Sequence, residues 1–357
     1  MTATSHVPSG SRTDAPATAT GRGGWAWAGG IRELVLIPVI LVVGIGASIF
    51  VPHFLTFNNI VNNILQASTV LGIVVIAESI ILIGGYFDLS LQSIVGLAPM
   101  LAAWLVLPTD LGGQGLVLNP YLGLVVMLAL GAGIGLINGF LIAKLQLNAF
   151  MVTLAMLILL QGFTLGISSG QTFSNLPLAM TFFDEFRFLT VPASVWFMIV
   201  AFAAAAIFMR YHPTGRRIYA QGGNPDAARA AGVRTQRLTV GLFIAGGMMA
   251  AVGGLLLSSR VASVTANQGQ NLIFTVFAAA VIGGISLNGG RGSILGAATG
   301  VLLLGMIQNI LVLSNVPSFW IDATYGAIIL GALLIGSTEL RAALIRPFQK
   351  RSRPRAA

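Results

Sequence analysis

Apolar residues gather in ten runs along the chain, at about 33–51, 68–85, 89–107, 121–143, 150–168, 194–209, 238–257, 272–287, 293–313 and 319–337. A membrane-crossing helix needs about 20 mainly apolar residues. The runs reach or approach that length, so the pattern predicts an all-α polytopic membrane bundle of about ten transmembrane elements. Two runs fit less well: 89–107 begins amphipathic and 272–287 is short. Segments of that kind are often half-helices or re-entrant, which widens the expected number to nine to eleven. Residues 1–30 are rich in Ser, Thr, Ala, Gly and Pro and hold no apolar core of a signal peptide. They predict a disordered cytoplasmic tail, followed by one transmembrane domain at 31–340 and a basic cytoplasmic tail at 341–357.

Composition agrees with burial in lipid. The chain has 357 residues, 56% of them hydrophobic and only 8% charged, with a mean hydropathy of +0.89. Soluble domains carry roughly a quarter charged residues, so a large soluble core, a coiled coil and a disordered chain are all excluded. There is no cysteine, which removes disulfides, thiolate metal sites and cysteine nucleophiles. The three histidines, His6, His53 and His212, are too scattered to suggest a metal site.

The net charge of +9 is explained by where the charges fall. With both termini cytoplasmic, 17 of the 19 basic residues lie in cytoplasmic loops and tails, and only Arg187 and Arg260 fall outside. This positive-inside bias supports an even number of spans and points to a lipid bilayer as partner, not nucleic acid.

The largest cytoplasmic loop, 210–237, encodes a short capped helix from Pro225 to Ala231. Asn224 is a good N-cap, Pro225 suits the first helical position, Asp226 complements the helix N-terminus and Gly232 fits just beyond the last turn. Ala227, Ala228 and Arg229 form its body. Docking of a soluble partner and simple ordering of the loop both explain it. Elsewhere Gly131, Gly135 and Gly139, and again Gly292, Gly296 and Gly300, recur at a four-residue step that predicts close helix packing.

Ionisable residues within spans are costly and are functional suspects. Glu78 and Asp322 stand in spans, and Asp88 stands at a cytoplasmic edge. Glu78 suits a proton carrier, a wet cavity or a paired group, and Asp322 suits a helix N-terminal charge. Neutral polar residues match the hydroxyls of an uncharged solute. Asn148, Thr153, Gln161, Thr164, Gln308 and Asn309, with Asn62, Asn63 and Gln66 near an outer face, are path candidates. Interhelical hydrogen bonding competes for each. Phe150 and Phe163 stack on a sugar ring or pack into the bundle. No paired Ser/His, Asp/Asp or His/Glu arrangement at membrane depth suggests an enzyme.

Three stretches carry a family resemblance. TGRRIYAQGGNPDAARAAGVRTQR resembles the cytoplasmic coupling loop of permease subunits in ATP-binding-cassette importers of the ribose and simple-sugar class, with DAARAAG similar to the EAA-type motif. GGYFDLS, with Gly85, Asp88 and Ser90, is similar to the GGxDLSxGS signature of that family, although Tyr86 and Gln92 stand where glycines are usual. VIGGISLNGGRGSILGAATGVLLLGMIQN, with Gly283, Gly284, Gly289, Gly290, Arg291, Gly292 and Ser293, resembles its C-terminal signature. The likeness runs from about residue 33 to 340.

The resemblance implies translocation of a monosaccharide or polyol, ribose- or xylose-like, across the bacterial plasma membrane. It also implies ATPase subunits, an extracytoplasmic solute-binding protein and a second permease copy, identical or a sister. No cofactor is then expected on this chain, with ATP and magnesium held by the ATPase. In accord, no GxxxxGK[ST] loop accompanies either lysine, Lys144 or Lys350, and GGRGS at 289–293 reads as a tight turn. Two alternatives are import of branched-chain amino acids or nucleosides by a related permease, and a stand-alone proton-coupled transporter using Glu78.

Overall fold

The computed structural model describes residues 36–336. The expected tails at 1–30 and 341–357 lie outside the described residues, as does the side chain of Asp322. In chain order the helices are α1 (Leu36–Phe50), a π-helical segment (Asn59–Leu65), α2 (Ser68–Ile83), α3 (Leu91–Val106), α4 (Pro120–Ala143) and α5 (Ala149–Ser168). Then come α6 (Leu178–Glu185), α7 (Ala193–Tyr211), α8 (Pro213–Gly223), α9 (Pro225–Ala230), α10 (Thr235–Val261), α11 (Leu272–Ile282), α12 (Ile294–Leu313) and α13 (Ser318–Gly336). Each of the ten apolar runs contains one of these helices. The protein is an all-α, polytopic membrane bundle.

Not all ten are full-length spans. Among the described residues α4, α5, α7, α10 and α12 are long and apolar enough to cross, and the π-helical segment with α2, bent by 41°, makes a sixth. Three others are shorter: α1 has 15 residues, α3 has 16 and α11 has 11. At about 1.5 Å per residue, α11 covers only about half the hydrocarbon thickness. The cause lies in the preceding backbone. After α2 the loop 84–90 turns back beside the helix until the Asp88 N–H donates to Glu78 Oε1 at 3.3 Å, so α3 starts inside the bundle. The segment 262–271 does the same before α11. The two interior helix starts meet where the Ile273 N–H donates to Gln92 Oε1 at 3.3 Å. Such irregular backbone is tolerated at membrane depth only where protein or a polar cavity satisfies it.

Helices α2 and α3 form the centre: 15 of 16 residues of α2 and 13 of 16 of α3 are buried. Both are apolar on nearly every face, as a helix surrounded by other helices must be. Around them α4 and α10 pack at backbone contact. A Cβ on Gly131 would stand 2.4 Å from the Gly247 carbonyl oxygen, and one on Gly135 would stand 2.1 Å from that of Phe243. Gly139 meets α10 in the same row. The second glycine series differs from expectation. Gly296 and Gly300 press α12 onto Gly283 and Ala279, but Gly292 precedes the helix, with φ +131° and Ser293 as the cap. The turn, not the helix face, uses Gly292. Helices α5 and α7 present mainly exposed apolar residues such as Ile158, Phe163 and Val200.

Among the described residues the all-helical expectation is interrupted by a two-residue antiparallel hairpin pairing Arg187 with Pro192 and Phe188 with Val191, and by an isolated bridge between Phe173 and Val264.

Candidate functional site

The three sequence motifs, remote along the chain, converge at one end of the bundle. Gly85 follows α2, Gly222 and Gly223 close α8, and Gly289 and Gly290 lie in the turn between α11 and α12. A Cβ on Gly222 would sit 1.8 Å from the Ile83 carbonyl oxygen and 2.6 Å from Gly290 N. The Gly290 N–H donates to that same Ile83 carbonyl at 2.8 Å. Gly289 and Gly290 hold φ of +78° and +66°, so the turn needs glycine for its conformation as well as for its closeness.

Side chains brace this junction. Tyr219 Oη donates to the Gly292 carbonyl at 2.9 Å, and Gln221 Nε2 donates to Thr239 Oγ1 at 3.1 Å. Thr239 Oγ1 in turn donates to Tyr86 Oη at 3.2 Å, and the Tyr86 ring meets Phe243 edge-on at 6.0 Å. The bulk of Tyr86 therefore has a place, against α10.

From the junction projects the loop helix foreseen in sequence. Asn224 Oδ1 accepts from the Asp226 and Ala227 N–H groups at 3.0 Å each, and helix α9 ends at Ala230. Gly232, at φ +84°, donates its N–H to the Arg229 carbonyl at 2.9 Å. Asp226 and Arg229 form an exposed ion pair, and only Ala228 of α9 is buried. The basic residues Lys144, Arg210, Arg216, Arg217, Arg229, Arg234, Arg237 and Arg291 are all exposed. Sequence reading missed α8, whose residues Tyr219, Gln221 and Gly222 anchor the projecting helix. Its signals were present: Pro213 after a capping His212, Gly215, Ile218 and Gln221 on one face, and paired glycines at the end.

A second feature lies where α3 begins and just before α11. A narrow polar cleft, with a cavity volume of only about 10 Å³, is lined by Gln92, Ser93 and Gly96 of α3, Gln161 and Thr164 of α5, and Ala266, Asn267, Gln268 and Gln270 before α11. It holds neither a charged nor an aromatic side chain. Gln268 is fixed by bonds from its Nε2 to the carbonyls of Val95 and Gly254, at 3.2 and 3.1 Å. Gln92 stands at the mouth of α3, so the second departure from the GGxDLSxGS pattern enters this cleft.

The remaining path candidates are dispersed. Asn309 and the π-helical Asn59 form a buried reciprocal amide pair at 2.9 and 2.8 Å, and Asn63 Nδ2 donates to Asn59 Oδ1 at 3.0 Å. Arg187 Nη1 donates to Asn62 Oδ1 at 3.0 Å. Gln66 Nε2 donates to Asp184 Oδ1. Partial burial raises the Asp184 carboxyl above its ordinary range, against the opposing charges of Arg187 and Arg260. Asn148 caps α5, accepting from the Met151 N–H at 3.2 Å, and Thr153 returns its hydroxyl to the Ala149 carbonyl at 2.9 Å. Gln308 is exposed on α12, and so are Phe150 and Phe163 on α5. Glu78 is fully buried beside Asp88. Of the candidates, the cleft gathers Gln161 and Thr164.

Residues 60–338 match the family described as branched-chain amino acid transport system / permease component. The chain belongs to this permease family. It is similar to the ribose import permease protein RbsC of Escherichia coli (strain K12), 32% identical over 318 residues that cover 88% of this chain and 95% of the relative. The RbsC of Bacillus subtilis (strain 168) is 33% identical over 298 residues, 83% of this chain and 90% of the relative. The L-arabinose ABC transporter permease protein AraH of Azospirillum brasilense is 32% identical over 312 residues, 86% and 89% respectively. No solved structure matches. The glycine junction joins the projecting helix to the end of α2, and the cleft lies where α3 and α11 begin.

Proposed function

We propose that the chain is the membrane-spanning subunit of an ATP-driven importer, in the bacterial plasma membrane, of a neutral monosaccharide such as a pentose. One observation carries the sugar: the lining of the cleft at the α3 start offers amides and hydroxyls, with no charge for a zwitterion and no aromatic face for a nucleobase. The similarity to ribose and L-arabinose permeases supports the same solute class.

In this reading ATPase subunits, which carry ATP and magnesium, dock on α9. Their closure displaces α8 and α9. Because Gly222 touches Ile83 and Gly290 backbone to backbone, that displacement reaches the ends of α2 and α11 with no flexible side chain between. Helices α3 and α11, both starting at the cleft, then open it to one side or the other. A second permease copy and an extracytoplasmic binding protein complete the assembly. The exposed basic residues around α9 suit an acidic ATPase surface.

The description of the permease family favours a second solute, a branched-chain amino acid. Proteoliposomes containing the chain with its ATPase and binding protein distinguish these solutes, using labelled ribose, L-arabinose and leucine. Pentose uptake that needs ATP supports the proposal. Leucine uptake alone, or uptake by the chain by itself under a pH gradient, overturns it. Asp226→Lys with Gly232→Val should reduce both ATPase association and uptake, and unchanged association would remove α9 from the docking role.

A further inference from the structure

Near the start of α3, a polar cluster shares no residue with the cleft. Glu78 on α2, Asp88 and Ser90 in the returning loop, and Asn138 on α4 are each fully buried. They form one hydrogen-bonded chain. The Asp88 N–H donates to Glu78 Oε1 at 3.3 Å, Ser90 donates to Asp88 Oδ1 from N at 2.9 Å and from Oγ at 2.5 Å, and Asn138 Nδ2 donates to Ser90 Oγ at 2.8 Å. Three oxygens in this chain, Glu78 Oε2, Asp88 Oδ2 and Asn138 Oδ1, have no hydrogen-bond partner.

We propose that Glu78, Asp88 and Asn138 bind a small hard metal cation at this junction of α2, the 84–90 loop and α4. Two carboxylates without a basic partner are severely destabilised in a low-dielectric interior. Among the described residues the only ion pair is the remote Asp226–Arg229. Compensation must come from a proton or from a bound cation. The donor set favours the cation, because the unsatisfied atoms are all acceptors and come from three separate elements. A single proton, held on one of these three oxygens and shared with a second, leaves the third without a partner. Carboxylate and amide oxygens are the ligands hard cations choose. Histidine and cysteine are absent from the cluster, and no described group of three or more His, Cys, Asp or Glu side chains offers a transition-metal site. A cation held here fixes the loop between Gly85 and α3, so ion occupancy acts on the same loop as the glycine junction. None of the cleft-lining residues takes part, and the inference stands whichever solute is transported.

The test uses the purified full chain in lipid nanodiscs, stripped with a chelator into choline chloride. Sodium, potassium, magnesium and calcium chlorides are titrated at constant ionic strength, with thermal unfolding and equilibrium dialysis of the labelled metal as readouts. The expected result is a saturable rise in Tm with one cation, and stoichiometric binding of it. Glu78→Gln and Asn138→Ala should each weaken that binding by at least about tenfold. Should either variant fail to fold, dialysis on the wild-type chain decides. The proposal is overturned if no metal binds the wild-type chain above the choline background, or if Tm follows pH identically in choline and in metal salts. Unchanged affinity in both variants overturns it as well.

Discussion

The two ends of the bundle hold their elements together by different means. At the basic end, Gly85, Gly222, Gly289 and Gly290 bring three segments into backbone contact. At the opposite end the joints are side-chain amides: Asn59 with Asn309, Asn62 with Arg187, Gln66 with Asp184. A backbone joint has no rotamers, so a push on α8 is transmitted rather than absorbed. An amide joint can exchange partners, since each Asn or Gln both donates and accepts. A lever that must move central helices suits the first kind, and a face that opens and recloses suits the second.

This contrast can be broken or sharpened, beginning with the largest expected effect. Gly222→Val places a Cβ where the Ile83 carbonyl stands, 1.8 Å away. Backbone cannot yield as a side chain can, and overpacking of this severity should cost about 3 kcal/mol or more. Thermal unfolding in nanodiscs measures it, and a tolerated valine would mean the junction is not rigid. At the other end, Asn309→Leu removes two bonds from the buried Asn59 amide, which keeps those to the Phe54 carbonyl and from Asn63, and should cost about 1–2 kcal/mol. The double variant with Asn59→Leu should cost less than the two single variants summed, and a simple sum would deny the pairing.

Asn224→Ala removes the cap from α9 and should cost about 1 kcal/mol locally. Hydrogen exchange at Asp226 and Ala227 should accelerate while the central helices keep their protection.

The smallest effect concerns Asp184. Its carboxyl is raised in the folded state from an ordinary value of 3.8, mainly by desolvation. The folded chain thus holds this proton when the unfolded chain has begun to lose it. Stability from this group is present at low pH and declines as pH rises from the ordinary carboxylate range through the folded value. A Tm–pH profile of Asp184→Asn should be flatter than that of the wild-type chain over that window, and identical profiles would contradict the shift.

Much of the fold was legible because apolar run length and helix caps are local. All ten runs contain helices, and the two irregular ones, 89–107 and 272–287, hold the short helices α3 and α11. Asn224, Pro225 and Gly232 read correctly as a start and a stop, since a cap needs only its own few residues. The four-residue glycine step at 131–139 identified a packed face, but the step at 292–300 mixed a turn residue with two helical ones, because spacing alone does not report where a helix begins. Helix α8 was missed since its mixed face of Ile218, Gln221 and Gly215 resembles loop composition until its burial against the bundle is known.

What the chain determined by itself was the solvent it belongs in and the places where helices start and stop. Both follow from composition and from neighbours a few positions apart. Which polar residues act together was decided by the tertiary structure. Gln92 joins Gln161 and Gln268, Gln221 joins Thr239, and Glu78 joins Asp88 and Asn138, in part across more than a hundred positions. A span looks the same in sequence whichever way its polar face points, and that direction is set by the packing of neighbouring helices.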